Sequence, residues 1–479
     1  MKKILLLSSL LSSVIATNLE AKIILPDILS DNMVLQQNTN VRLWGKSDKN
    51  KEIQVSPSWD KNIYKTRANQ EGKWLIEIPT PKASYIQHSI TFSDGEKIKL
   101  KNILIGEVWF ASGQSNMEMP LNGFWNCPVE GSNETIATSE SWKGIRVATI
   151  EKNGQLEPVE NVKGSWKVSN PENAPFFTAT GYYFAQILNK VLDIPIGIIN
   201  CSWGGTTVEG WLPKEIVETY PDINLEKEIR KEEPHDWWHY LSPILMYNGM
   251  LRPLENYTIK GFVWYQGESN IGRKDTYAER LKTMVDLWRK EWKLGELPFY
   301  YVEIAPHDYN APDETFAALL REEQFKAQEI ISNSFMVSTN DLVEKYESNN
   351  IHPKNKKGIG KRLAYIALSN TYNLKGIKAI GPIYKSMEIC SDKVILSFKN
   401  ADDGFNRLDK MEGFEVAGKD KKFYPAEAKM INNNQIEIFS KNVSTPIAVR
   451  YGFKNYMPGN VKDLRGLPLY PFRTDNWEK

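Results

Sequence analysis

At 479 residues, with 60 Lys and Arg set against 59 Asp and Glu, the chain is long enough for two or three domains and close to neutral. No polybasic run stands out, which excludes a surface built for nucleic acid or anionic membrane. The three cysteines, Cys127, Cys201 and Cys390, exclude a disulfide framework and allow one bridge at most.

Lys2 and Lys3 precede an apolar stretch from Ile4 to about Ala16, followed by Leu19-Glu20-Ala21 before Lys22. This is the pattern of a secretory signal covering residues 1–21. The apolar run is too short to span a bilayer and no second one follows, so the mature chain is expected to be secreted or periplasmic, without membrane insertion after signal removal. Residues 22–104 show short alternating runs at 41–44, 53–55, 74–78, 89–92 and 97–100, punctuated by Glu71-Gly72 and Asp94-Gly95. That pattern predicts a β-sandwich-like module.

Beyond it, over residues 105–376, strands alternate with helices. Apolar runs at 103–111, 196–199, 261–265, 299–304 and 335–338 alternate with helical periodicities at 181–191, 276–292, 316–331 and 356–371. Tyr277, Leu281, Met284, Val285, Trp288 and Trp292 mark the clearest helical stripe. The alternation predicts an α/β unit with a doubly wound, flavodoxin-like parallel sheet. Residues 377–479 return to short strands, at 394–398, 413–416, 436–439 and 447–451, and read as a second β-rich module.

Four short motifs follow predicted strands, where an open α/β sheet collects its ligands. Gly113-Gln114-Ser115-Asn116-Met117 comes straight off the run at 103–111, which makes Ser115 the candidate nucleophile. Cys201-Ser202-Trp203-Gly204-Gly205 follows the second run, Gln266-Gly267-Glu268-Ser269-Asn270 the third, and Asn350-Ile351-His352-Pro353 closes the loop after the last. No HExxH or Cys/His zinc pattern is present; His235 and His239 stand four apart in a Trp-rich stretch that reads as a packed loop, and no metal is expected.

In their order and number these blocks resemble the SGNH hydrolase superfamily, and within it the sialate O-acetylesterase family of secreted carbohydrate esterases. The resemblance extends to Asp31-Asn32-Met33-Val34-Leu35-Gln36, Gly106-Glu107-Val108-Trp109, Gly466-Leu467-Pro468 and Pro471-Phe472-Arg473, nearly the whole mature chain. It implies a serine esterase that removes O-acetyl groups from acetylated carbohydrates, sialic acids first, through an acetyl-Ser115 intermediate and with no cofactor. Acetylated hemicellulose is the alternative substrate, and a non-catalytic glycan-binding protein the alternative class.

A serine hydroxyl needs a base, and His352 is the histidine in a strand-to-helix loop with the matching motif. The Ser115 and Gly204-Gly205 backbone N–H groups and the Gln266 side chain are the expected oxyanion donors. Asn116, Glu268, Asn270 and Trp211 are expected at the substrate. The superfamily often places Asp three residues before the histidine, but position 349 is Asn. The acid is therefore expected at Asp341, Glu344 or Glu347, with Asp341 nearest the strand end, or else the enzyme runs as a Ser-His dyad.

Overall fold

A computed structural model describes residues 23–229 and 242–477, so the expected signal segment and the His235 and His239 pair lie outside the described residues. The architecture is built around one long strand, Lys97–Gly113 (β1). Its first residues alternate in exposure, as expected for a strand with one wet face, and from Ile103 onward every residue is buried, as in a strand covered on both faces. The sequence pattern breaks at Lys101-Asn102, yet the strand continues. Asn102 takes φ 55° and its side chain bonds Asn32 Oδ1 at 2.7 Å, so a left-handed residue bends the strand without ending it.

The first half of β1 pairs with Ser84–Ser93 and Val34–Gln36 of the N-terminal β module. Its second half lies at the centre of the α/β sheet. The other strands there are Ile145–Thr149 (β2), Trp166–Val168 (β3), Ile196–Ser202 (β4), Gly261–Tyr265 (β5), Phe299–Val302 (β6) and Ser334–Val337 (β7). Their order is β7-β6-β5-β1-β4-β2-β3, parallel throughout except for the antiparallel edge strand β3. β2 escapes the sequence reading because Arg146 interrupts its apolar run, and β3 because it is only three residues long with Lys167 at its centre. In the fold the Arg146 guanidinium is buried, bonding Asn102 Oδ1 at 3.2 Å and the carbonyl oxygens of Asn32 and Asn102 at 3.3 Å.

Besides the short Ser115–Glu118 (α1), the main helices are Ala179–Leu192 (α2), Tyr277–Trp292 (α3), Phe316–Ile330 (α4) and Lys356–Ile366 (α5). They cover both faces of the sheet, and the two-residue period of β1 sorts its side chains between them. Val108 and Phe110 pack with α3 and α4, Trp109 and Ala111 with α2 and α5. All six residues of the stripe on α3 are fully buried. Cutting one such aromatic to alanine typically costs about 3–5 kcal/mol.

The C-terminal module is two facing four-stranded sheets with a core of its own, whereas the N-terminal module shares its core with α3 and α4, so the two do not form one sandwich. The C-terminal module packs against the loops after β6 and β7 and against α4: His307 N–H donates to Asn455 O at 3.0 Å, Lys462 Nζ pairs with Asp341 at 2.8 Å and Arg321 bonds Gly452 O at 3.2 Å. Cys127, Cys201 and Cys390 are all unpaired. Among the described residues no helix is long and apolar enough to cross a membrane.

Candidate active site

The chain begins this sheet at β1, winds to one edge and back to β4, then crosses to β5, so the order reverses beside β1. Such a reversal opens a crevice at the carboxyl ends of the strands. Around it a pocket of about 420 Å³ brings together Ser115, Gly204, Gly205, Glu268 and His352, with Gln114, Ser269 and Ile351 completing the wall.

Ser115 is presented by a forced turn. Gly113 takes φ 131°, and a Cβ there would lie 2.2 Å from the Tyr265 carbonyl oxygen, so only glycine lets β1 end this close to β5. Gln114 N–H donates to that same oxygen at 2.9 Å, and Gln114 Oε1 accepts from Gly267 N–H at 3.1 Å. Ser115 then opens α1, half-buried, with neither its Oγ nor its N–H engaged among the described residues.

His352 is held through its backbone. Asn350 Oδ1 accepts its N–H at 3.0 Å while Asn350 Nδ2 donates to its carbonyl at 2.9 Å, and the Phe124 ring meets the imidazole edge-on at 5.2 Å. Nε2 is buried and has no partner among the described residues. Burial, reinforced by Lys356 and His307, pulls the imidazole down to about 4, so the ring is neutral and its nitrogen free to take a proton at neutral pH.

Among the described residues no acid bonds this ring. Asn349 is exposed, and the expected acid Asp341 is committed elsewhere, to Arg362 through two contacts of 2.7 Å and to Lys462 at 2.8 Å. Burial would raise the Asp341 carboxyl, but Arg362 and Lys462 outweigh it and hold it below its ordinary value. The Glu347 carboxylate accepts the N–H groups of Lys354 and Glu344, and Glu344 is itself exposed. Ser115 and His352 thus share the pocket with no acid on the imidazole among the described residues, and the Asn350 amide brackets the His352 backbone. Asp341→Ala strands the buried Arg362 guanidinium and removes the partner of the partly exposed Lys462, so it is expected to cost about 3 kcal/mol of stability by denaturant titration. Turnover of the folded variant should stay within a few-fold; a thousandfold loss of kcat would restore Asp341 as the triad acid.

The glycine pair sits against the nucleophile. A Cβ on Gly204 would lie 3.1 Å from Ser115 Cβ. Gly204 N–H donates to Glu118 Oε2 at 2.6 Å, whereas Gly205, at φ 82° in the Trp203–Thr206 turn, has an N–H with no partner among the described residues. Gly205 and Ser115 therefore offer the free backbone donors.

Gln266, expected as the third donor, is an internal brace. Its Nε2 donates to Thr206 O at 3.0 Å and Asn270 Oδ1 at 2.7 Å, and its Oε1 accepts from the Tyr277 hydroxyl at 2.9 Å. Asn270 is likewise spent, on Glu209 Oε2 and Val208 N–H, each at 2.9 Å. Trp211, expected to stack a sugar, is fully buried between Trp264 and Trp288 with its Nε1 on Thr206 Oγ1 at 3.1 Å. These three side chains build the floor of the crevice and do not line it.

Asn116, also expected at the substrate, is fully buried and joins three loops instead. Its Nδ2 donates to Glu268 Oε1 at 2.7 Å and to Ile351 O at 3.0 Å, and its Oδ1 accepts from Lys356 Nζ at 2.5 Å. The residues after β1, β5 and β7 are thereby tied to one amide. Burial lowers Lys356 to about 7, against the pull of Glu268 and Glu347, and it raises the Glu268 carboxyl. Lys356 and Phe124 are the site residues that sequence reasoning missed. A lysine in the first turn of a helix reads as solvated, and nothing in sequence brings Phe124 to His352.

A family profile described as carbohydrate esterase, sialic acid-specific acetylesterase, matches residues 105–369. Human sialate O-acetylesterase is 26% identical over 408 residues, which cover 77% of this chain and 75% of that protein. The mouse protein of the same name is 24% identical over 404 residues, covering 75% and 74%. The crystal structure of a carbohydrate acetylesterase from Xanthomonas citri matches with a TM-score of 0.84 at 30% identity, covering 95% of this chain and 100% of that one.

Proposed function

Because the chain belongs to the carbohydrate esterase family of sialic acid-specific acetylesterases and is a carboxylic ester hydrolase, we propose that it deacetylates O-acetylated sialic acids through an acetyl-enzyme on Ser115. The observation that carries the mechanism is the meeting, in one pocket, of an unengaged serine hydroxyl with an imidazole whose buried Nε2 has no partner. Ser115 Oγ attacks the acetyl carbonyl as His352 Nε2 takes its proton, and the carbonyl electron pair moves onto oxygen, facing the Ser115 and Gly205 N–H groups. Collapse breaks the bond to the sugar oxygen, which receives the proton from His352. Water then attacks the acetyl-serine by the same route, releasing acetate. In this reading the α/β unit is a doubly wound SGNH-type domain, and the segment 1–21 directs the chain to the periplasm or the medium.

The sugar is taken from the relatives, which are named for sialate. Acetate release from O-acetylated sialosides is expected to exceed that from acetylated xylan, and intact-mass analysis should catch one acetyl group on Ser115. A strong preference for xylan overturns the substrate assignment.

The rim supplies a platform for the sugar. Phe124 and Cys127 exchange two backbone hydrogen bonds of 3.0 Å, and the tip between them presents Trp125, 89% exposed, one residue from the ring that packs on His352. A tryptophan left this open gains from a sugar face laid on it. Trp125→Ala is expected to raise KM for a glycan substrate roughly fivefold, about 1 kcal/mol, while kcat/KM for 4-nitrophenyl acetate holds. Equal loss on both substrates would remove Trp125 from sugar recognition.

A further inference from the structure

We propose that Glu268 enters the reaction as a neutral carboxylic acid whose Oε2–H donates to the carbonyl oxygen of the bound acetyl ester, supplying the third oxyanion donor that Gln266 does not provide. The proposal rests on the acylation of Ser115 argued above.

Glu268 lines the same pocket as Ser115 and His352, and its side chain is almost wholly buried. Its two oxygens differ. Oε1 accepts from Asn116 Nδ2 at 2.7 Å, while Oε2 is buried with no partner among the described residues. A buried carboxylate with one oxygen unmet is costly, because each unsatisfied polar atom forfeits its hydration with nothing in return. Protonation resolves the conflict at one atom. With the Oε1 lone pair facing an amide N–H, the hydrogen resides on Oε2, and what it then lacks is an acceptor. An ester carbonyl entering the pocket is one, and it becomes a better one as negative charge develops on it.

The surroundings favour the neutral acid. Burial raises the Glu268 carboxyl, and its own backbone N–H, Asn116 and Lys356 oppose that only in part. Lys356, the cation facing it through Asn116, is itself lowered to about 7. The phenols that feel its charge, Tyr265 on β5, Tyr277 on α3 and Tyr309 in the loop after β6, are all pushed up and stay neutral. His352, across the pocket, is neutral above about 4. A carboxylic acid kept neutral by an apolar site is a strong donor that ionises as the pH rises, unlike an amide. The proton stays on Oε2 throughout; the proton that moves is the one carried from Ser115 to His352.

The test compares wild type, Glu268→Gln and Glu268→Ala on 4-nitrophenyl acetate across pH, with intact mass reporting acetyl-Ser115. Glu268→Ala should lose about 10²- to 10³-fold in kcat with KM little changed. Glu268→Gln, whose amide donates from the position of Oε2, should recover kcat to within about tenfold of wild type. It should also lack the alkaline descending limb of the wild-type profile. If Glu268→Ala does not fold, the near-isosteric Gln variant decides alone. An alkaline limb unchanged in Glu268→Gln, a Gln variant as damaged as the Ala variant, or an Ala variant at full rate overturns the proposal. Those results with Ser115 still acetylated sink only the role of Glu268. A wild-type enzyme that never acetylates Ser115 sinks the acylation mechanism and this proposal together.

Discussion

Ser115→Ala is expected to lower kcat for acetyl ester hydrolysis by roughly a millionfold, about 8 kcal/mol of barrier, with the fold unchanged by circular dichroism. The residue is half-buried, its hydroxyl bonds nothing among the described residues, and its Cβ and Cα remain in alanine, so the packing against Gly204 survives the change. What is lost is the atom proposed to carry the acetyl group. Acetate release is the measurement, and a variant that keeps the wild-type rate would mean that Ser115 forms no covalent intermediate.

The second large effect is at His352. His352→Ala should cost a comparable factor, and the double variant with Ser115→Ala should be no worse than either single one, because the two act as a unit. The imidazole must be neutral to work, and burial places its titration near 4. On the acid side kcat/KM should therefore fall only as the pH drops through about 4, not through the ordinary histidine value of about 6.5. An acidic limb near 6.5 would mean that the imidazole is solvated or paired with an acid in the working enzyme. The low value also has a cost. With no carboxylate to stabilise the imidazolium, the ring gives back its proton readily but takes it weakly, and a serine protease triad deprived of its charged Asp loses about 10⁴ in kcat. Preorganised oxyanion donors have correspondingly more of the barrier to lower.

Much of this was legible in the chain. The second half of β1, from Ile103, and β4, β5, β6 and β7 announce themselves as apolar runs too continuous to have a wet face, and α3 by its stripe of Tyr277, Leu281, Met284, Val285, Trp288 and Trp292. Because reactive residues in such a sheet gather beyond strand ends, Ser115, Gly204, Gly205, Glu268 and His352 could be assigned to one pocket from their positions alone. The failures share a cause. Gln266, Asn270, Asn116 and Asp341 are polar side chains beside the crevice, and whether each faces substrate or braces a loop depends on partners such as Thr206, Glu209, Lys356 and Arg362. Those partners lie 21 to 240 positions away in the chain, and sequence spacing holds no record of them. Trp211 fails for the converse reason: an indole beside an active site looks the same in sequence whether it stacks a ligand or two other tryptophans.

The continuity of Lys97–Gly113 has a practical consequence. A protein engineer looking at the composition would treat the N-terminal β module as a cassette to be trimmed or exchanged for another binding unit. The backbone that leaves that module is the same rod whose tip is Gly113-Gln114-Ser115, and Ile105 and Gly106 pair with the module while the next residue, Glu107, already pairs with β4. A cut anywhere between them severs the lever arm that presents Ser115, so a transplant of the esterase must carry the β module from residue 23 onward with it.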